Sequence, residues 1–306
     1  MASKSENRNY SRIKPPFGYY GSKHRLAFQI IKLLPPHNAW VEAFCGSAAI
    51  TLAKPPAPIE IINDMDDQII NLFQQLRENQ QELCQMIALT PYASAEHARA
   101  REHDETATSL EKARQFLVAT MMTVNGANGG KSSGFSFSQS YSRGGNEARV
   151  NRWYHLPERL ERVAERLRTI RIEKRDAREL VDMFKNKPAT LVYLDPPYNI
   201  NRKQRYNYDV DDESFHINLL NKCIESKSMI MISGYDNELY NSLLTEKLGW
   251  TKLEIYTSTR DTSGKDYPRT EVIWRNQSCY SAHITKQVPI ELSSKEIQYN
   301  KVNPSR

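Results

Sequence analysis

Leu194-Asp195-Pro196-Pro197-Tyr198 closes the apolar run that begins at Thr190, and it holds the residue types that chemistry on a planar amine needs. An exocyclic ring amine is a weak nucleophile, because its lone pair is delocalised into the ring. It reacts when an acceptor takes its hydrogens and when a nearby carbonyl favours a pyramidal nitrogen as positive charge develops. A carboxylate beside a proline-fixed carbonyl supplies both, as electrostatic stabilisation of developing charge. Pro196 and Pro197 fix φ at two successive positions and stiffen the turn. Tyr198 adds a flat face for stacking. The competing reading of the same tetrapeptide is an ordinary strand-ending turn.

Two further clusters carry chemistry. Phe44-Cys45-Gly46-Ser47-Ala48 follows the apolar run 39–44, and Gly46 lets backbone approach a ligand closely. The G-x-G-x-x-G pattern and a Walker lysine are absent, which favours a ligand without pyrophosphate. Asp64 ends the next apolar run, where a carboxylate can accept hydrogen bonds from ribose hydroxyls. Phe17-Gly18-Tyr19-Tyr20-Gly21-Ser22-Lys23 joins aromatics, a tight turn and a cation; read blandly, it is a helix-capping turn with Ser22 as N-cap.

The elements that must position these residues follow from periodicity. Leu26, Ile30, Ile31 and Leu34 predict a helix over 22–34, stopped by Pro35-Pro36. Strands are expected at 39–44 and 59–62, with a helix at 66–77. That order of strand, glycine turn, helix, strand and acidic residue belongs to a doubly wound sheet. A helical stretch is expected over 95–120. The glycine- and serine-rich segment 125–146 after it reads as an exposed loop. Around that loop stand Lys131, Arg143, Arg149 and Arg152, with Phe135, Phe137, Tyr141, Trp153 and Tyr154. Cations and aromatics in such a place suit phosphates and unstacked bases, or form a solvated linker with packing aromatics. Further strands are predicted at 170–173, 190–194, 228–233 and 270–274.

The 306 residues suffice for one large domain or a domain with an insertion. Hydrophobic residues make up 39% and charged residues 25%, so a buried core is expected. No run of about 18 apolar residues predicts a membrane span, and the polar N-terminus does not read as a secretory signal. Cys45, Cys84, Cys223 and Cys279 are scattered, which fits reduced thiols and neither a zinc site nor a disulfide framework. The net charge of +6 suits a polyanion partner, although many basic proteins have none.

Taken together and in order, Tyr19-Tyr20-Gly21-Ser22-Lys23, the run from Val41 to Ala49, Asn63-Asp64-Met65-Asp66 and Asp195-Pro196-Pro197-Tyr198 resemble the motifs of Dam-type adenine-specific (N6) DNA methyltransferases. Tyr206-Asn207-Tyr208, Ser233-Gly234-Tyr235 and Glu271 to Asn276 look like its later motifs, so the resemblance spans about Pro15 to Asn276. It implies an α/β, Rossmann-like doubly wound methyltransferase sheet with an inserted, mainly helical target-recognition region. The expected division is a mobile tail 1–13, a catalytic domain 14–80 and 166–285, an insertion 81–165 and a polar tail 286–306. The implied cofactor is S-adenosyl-L-methionine, and the implied substrate is a flipped adenine in double-stranded DNA. Tyr19, Lys23, Phe44, Gly46, Asp64, Asp176 and Asp195 are the implied cofactor residues. Asp195, Pro196, Pro197 and Tyr198 are the implied catalytic ones, and Lys131, Arg143, Arg149 and Arg152 the expected DNA contacts. A cytoplasmic monomer or weak dimer of bacterial or phage origin is expected, without metal or membrane, and a cognate restriction endonuclease is a further expected partner. Ala48 and Ser22 stand where the family carries glycine, and cofactor binding is expected to survive both exchanges.

Two other readings fit the residues. One is a methyltransferase acting on cytosine N4, RNA adenine or a protein glutamine amide, against which the long basic insertion speaks. The other is a DNA-binding regulator on a decayed scaffold, against which the intact tetrapeptide speaks.

Overall fold

A computed structural model describes residues 13–18, 23–102, 104–124, 134–138, 145–197, 213–260 and 266–290. After a turn at 23–26, α1 (Ala27–Leu33) leads into β1 (Ala39–Glu42), α2 (Ala49–Ala53), β2 (Ile59–Asn63) and α3 (Asp67–Glu78). The helices α4 (Gln80–Leu89), α5 (Ser94–Arg99), α6 (Ser109–Met121), α7 (Ala148–Tyr154) and α8 (Leu156–Leu167) come next. The chain continues through β3 (Ile170–Glu173), α9 (Ala177–Phe184), β4 (Thr190–Leu194), α10 (Glu213–Ile224), β5 (Met229–Gly234) and α11 (Glu238–Leu243). It closes with β6 (Thr251–Arg260), β7 (Asp266–Arg275) and α12 (Gln277–Thr285).

The strands form one seven-stranded sheet in the order β3-β2-β1-β4-β5-β7-β6. β7 is antiparallel to both neighbours, and the pairings from β3 through β5 are parallel. Both faces are covered. Val41, Ile61, Val192 and Ile230 pack with Leu180 of α9 and Leu219 of α10. Trp40, Leu191, Tyr193 and Met229 pack with Ile30 of α1, Ile50 of α2 and Cys279 of α12. Alternate residues of each strand thus serve opposite faces, which makes the sheet doubly wound and α/β as expected.

Several boundaries differ from periodicity. The first helix starts at Ala27 rather than at 22. The stretch expected to be helical over 95–120 breaks between α5 and α6, because Thr108 caps a fresh start by accepting from Glu111 N at 3.2 Å. The motif Thr108-Ser109-Leu110-Glu111 has the capping-box spacing, which overrides continuation of the earlier helix. The last strand is twice the predicted length, since β6 pairs with it along its whole extent.

The helices between β2 and β3 are not separate from the sheet. Phe73 of α3, Leu83 and Ile87 of α4, Leu117 of α6 and Leu160 and Leu167 of α8 share one hydrophobic cluster with Ile62 of β2 and Ile170 of β3. Trp153, read from sequence as a loop aromatic, is buried in this cluster, and its Nε1 donates to Thr90 O at 2.8 Å. Phe135 packs on Tyr92, with ring centroids 5.1 Å apart. Tyr154 and Phe137 are instead exposed. Among the described residues no helix is long and apolar enough to cross a membrane.

Candidate active site

Strand order reverses between β1 and β4, and in open α/β sheets this is where a crevice forms beyond the carboxyl ends of the strands. Glu42 of β1 lies in register with Tyr193 of β4, so the chain leaves β1 into Phe44-Cys45-Gly46 beside the point where it leaves β4 into Asp195. Two motifs far apart in sequence therefore meet at one edge.

The glycine turn is held against β2. Cys45 N donates to Asn63 O at 2.8 Å, and Gly46 N donates to Asp64 Oδ2 at 2.8 Å. Asp66 N donates to the other Asp64 oxygen at 3.0 Å. Burial pushes the Asp64 carboxyl up to about 6, against the pull of these backbone donors. Gly46 (φ 48) and Ala48 (φ 53) both adopt left-handed backbone, and Phe44 packs at the margin of the α9–α10 core. Asn63 clips three segments together. Its amide donates to Ala43 O and Arg175 O, both at 2.9 Å, and its oxygen accepts from Arg175 N at 2.8 Å.

Asp195 sits at the end of β4, followed by buried Pro196 and half-buried Pro197. Lys23 Nζ donates to both its oxygens, at 2.6 and 2.7 Å, and lies 3.3 Å from Glu271 of β7. Ser233 at the end of β5 donates to Asp195 Oδ1 at 3.1 Å and is in turn 2.8 Å from the Tyr193 hydroxyl. Burial alone would lower the Lys23 ammonium, but the two carboxylates together outweigh it and hold the cation well above its ordinary range. Among the described residues one cation here faces two carboxylates, a set that favours a cationic ligand and any positive charge that develops nearby.

Below this edge Glu42 is buried and accepts from both the backbone N and the hydroxyl of Thr51, whose hydroxyl also accepts from Trp40 Nε1 at 2.6 Å. Burial pushes the Glu42 carboxyl up to about 7. Glu42, Ser233 and Glu271 were not singled out as site residues from sequence. An acidic residue inside an apolar strand, as in Ala39-Trp40-Val41-Glu42 and Glu271-Val272-Ile273, is the signal that marks two of them.

Asp176 caps α9, accepting from Arg178 N at 2.8 Å, and pairs with the Arg178 guanidinium. Its carboxylate thus serves a helix start beyond the end of β3. Arg149 and Arg152 lie on α7, where Arg152 reaches 3.6 Å from Met121 Sδ. Tyr19, Ser22, Lys131, Arg143, Tyr198 and 206–208 lie outside the described residues. Among the described residues no cluster of His, Cys, Asp and Glu could hold a metal ion.

A family model for the D12 class N6 adenine-specific DNA methyltransferases matches residues 19–258. That stretch contains Lys23, the glycine turn, Asp64 and Asp195, and ends before Glu271. Among solved structures, a candidate RNA methyltransferase of Pyrococcus horikoshii is 10% identical, over 85% of this chain and 84% of its own, with a TM-score of 0.37. The rRNA methyltransferase AviRa of Streptomyces viridochromogenes is 16% identical, over 85% of this chain and 87% of its own, with a TM-score of 0.35.

Proposed function

Because this chain belongs to the D12 class of N6 adenine-specific DNA methyltransferases, we propose that it uses S-adenosyl-L-methionine to methylate N6 of an adenine extruded from double-stranded DNA. The observation that carries this reading is the meeting of Asp195 with the glycine turn at the switch point of the sheet. The residues there fit the cofactor. Asp64, half-buried beside Gly46, suits ribose hydroxyls, and the net negative Lys23–Asp195–Glu271 group suits a sulfonium and an ammonium. When bound, S-adenosyl-L-methionine supplies an electrophilic methyl group.

In this reading Asp195 and the Pro196 carbonyl accept hydrogen bonds from the two N6 hydrogens, which frees the nitrogen lone pair to take the methyl as its bond to sulfur breaks, and the surplus N6 proton then leaves to solvent. Lys23 and Ser233 hold the Asp195 carboxylate in one orientation. Tyr198 stacks on the extruded base, and Arg149 and Arg152 of α7 together with Lys131 and Arg143 offset the few kcal/mol that unstacking costs. Asp176 lies at the adenosine end of the cofactor. A cytoplasmic site of action and a cognate endonuclease accompany this reading.

The test is methyl transfer from labelled cofactor to DNA, RNA and protein by the wild type and by Asp195→Ala. Label in DNA as N6-methyladenine is expected from the wild type. In the variant transfer should fall roughly 10²- to 10³-fold, of the order seen when a stabilising group is lost, while duplex binding stays. Label in RNA or protein alone overturns the proposal.

A further inference from the structure

The segment 13–18 runs along one face of α7 and α8, and between them lies an open groove of about 860 Å³. Its lining includes Lys14, Arg25, Arg152, His155, Arg159 and Arg162. Among the described residues of the lining Glu158 is the acidic one, and it faces His155 at 3.7 Å.

Arg152 and Arg159 set this groove apart from an ordinary solvated face. Several guanidiniums elsewhere are paired with carboxylates: Arg114 with Glu111 and Glu96, Arg168 with Glu165, and Arg178 with Asp176. Arg159 instead reaches two carbonyls, Pro15 O at 3.5 Å and Arg152 O at 3.4 Å, and Arg152 reaches a thioether sulfur at 3.6 Å. Neither has a carboxylate partner among the described residues. They also repel each other. Burial pushes Arg159 down to about 10, with the Arg152 charge adding to it. Burial and the neighbouring Arg149 charge also lower Arg152. A half-buried guanidinium such as Arg159 is normally answered by an anion, and the described residues supply none.

The groove adjoins the catalytic edge. A side chain at Gly18 would stand 3.5 Å from the Arg152 guanidinium, and Gly18 precedes Lys23 by so few residues that their Cα atoms lie at most about 18 Å apart. His24 and Arg25 of the groove's lining follow Lys23 directly, so an anion held here lies beside the stretch of chain that supplies a partner of Asp195. A pocket for one small anion would be closed around it, whereas this groove is open and lined by cations in a row along two successive helices.

We propose that this groove binds the DNA backbone, with Arg152 and Arg159 holding phosphates close to the target base; the proposal rests on the reading of the chain as a DNA methyltransferase. Planar guanidiniums suit phosphate oxygens, and each phosphate neutralised releases counterions.

The experiment measures binding of a fluorescein-labelled mixed-sequence 30-base-pair duplex across a KCl series, with cofactor affinity and methyl transfer measured alongside. For R152Q/R159Q the slope of log K against log salt should fall in magnitude by about 1.8, that is about 0.9 per phosphate lost. The charge-keeping R152K/R159K should hold the wild-type slope, and E158Q should tighten binding. Cofactor affinity and melting temperature should stay at wild-type values, which separates lost contact from misfolding. Wild-type salt slope in R152Q/R159Q, with the wild type active on DNA, overturns the groove proposal alone. Equal protection of the wild type from thermal unfolding by inorganic phosphate and by duplex, without competition between them, overturns it in favour of a small-anion site. A wild type that methylates no DNA overturns the functional reading instead, and a reduced slope in the variant would still uphold the groove.

Discussion

Burying an ammonium costs several kcal/mol unless opposite charge answers it. Lys23 is answered twice, by Asp195 and by Glu271, from strands on either side of β5. Lys23→Met should therefore leave two carboxylates facing each other and destabilise the fold by about 3 kcal/mol. Adding Glu271→Gln should recover part of that loss, because the two sites share the cation. Urea unfolding of the single and double variants checks both. Glu42 gives a pH signature of its own. Its carboxyl is raised from 4.5 to about 7 in the folded state, so the native protein binds the proton more tightly than the unfolded chain. That contribution is complete below pH 4.5 and disappears as pH rises through about 7, a change on the order of 3 kcal/mol. Glu42→Gln should flatten the fall in stability between those limits, and should unfold at higher urea than the wild type at pH 8. Equal slopes in both proteins would mean that Glu42 does not titrate there.

The turn from β1 to α2 shows how one small residue is tolerated where another is expected. Ala48 stands in left-handed backbone, a conformation that costs an L-residue about 1–2 kcal/mol. Its methyl is fully buried in the helical core, which returns about 0.8 kcal/mol, and alanine loses less chain entropy on folding than glycine, by about 0.4–1 kcal/mol. The terms nearly cancel, so Ala48→Gly should change stability by less than about 1 kcal/mol. Ala48→Val, branched at a left-handed position, should lose about 2–3 kcal/mol and weaken cofactor binding. Denaturant midpoints and calorimetric titration with the cofactor test this pair. The same turn shows what the sequence made legible. β1, β2, β4 and the start of α3 were readable, because apolar runs ending at Gly46, Asp64 and Pro196, and the cap at Asp66, give local signals. The break between α5 and α6 was readable only through Thr108 and Glu111. β6 escaped notice because its exposed, mixed residues carry no period of their own and depend on pairing with β7.

On the scale of the molecule, sequence marked the basic helical stretch as an insertion, but not that its core is continuous with the sheet edge. Leu160 and Leu117 need Ile62 and Ile170 as much as each other, and such contacts between distant positions leave no trace in periodicity. One cooperative transition is expected in calorimetry, with α4–α8 and the sheet melting together; a separate early transition for this stretch would contradict the shared core. The site was legible in the same uneven way. Asp195, Gly46 and Asp64 announce themselves through short motifs, whereas Glu271 and Ser233 become partners of the centre only once β5 and β7 are paired.

Lys23 and Asp195 are 172 positions apart, and Glu271 comes later still. During synthesis Asp195 leaves the ribosome well before β7, the strand that completes its setting. A nascent or prematurely terminated chain therefore presents Asp195 without its finished surroundings, and whatever this centre does has to wait for β7.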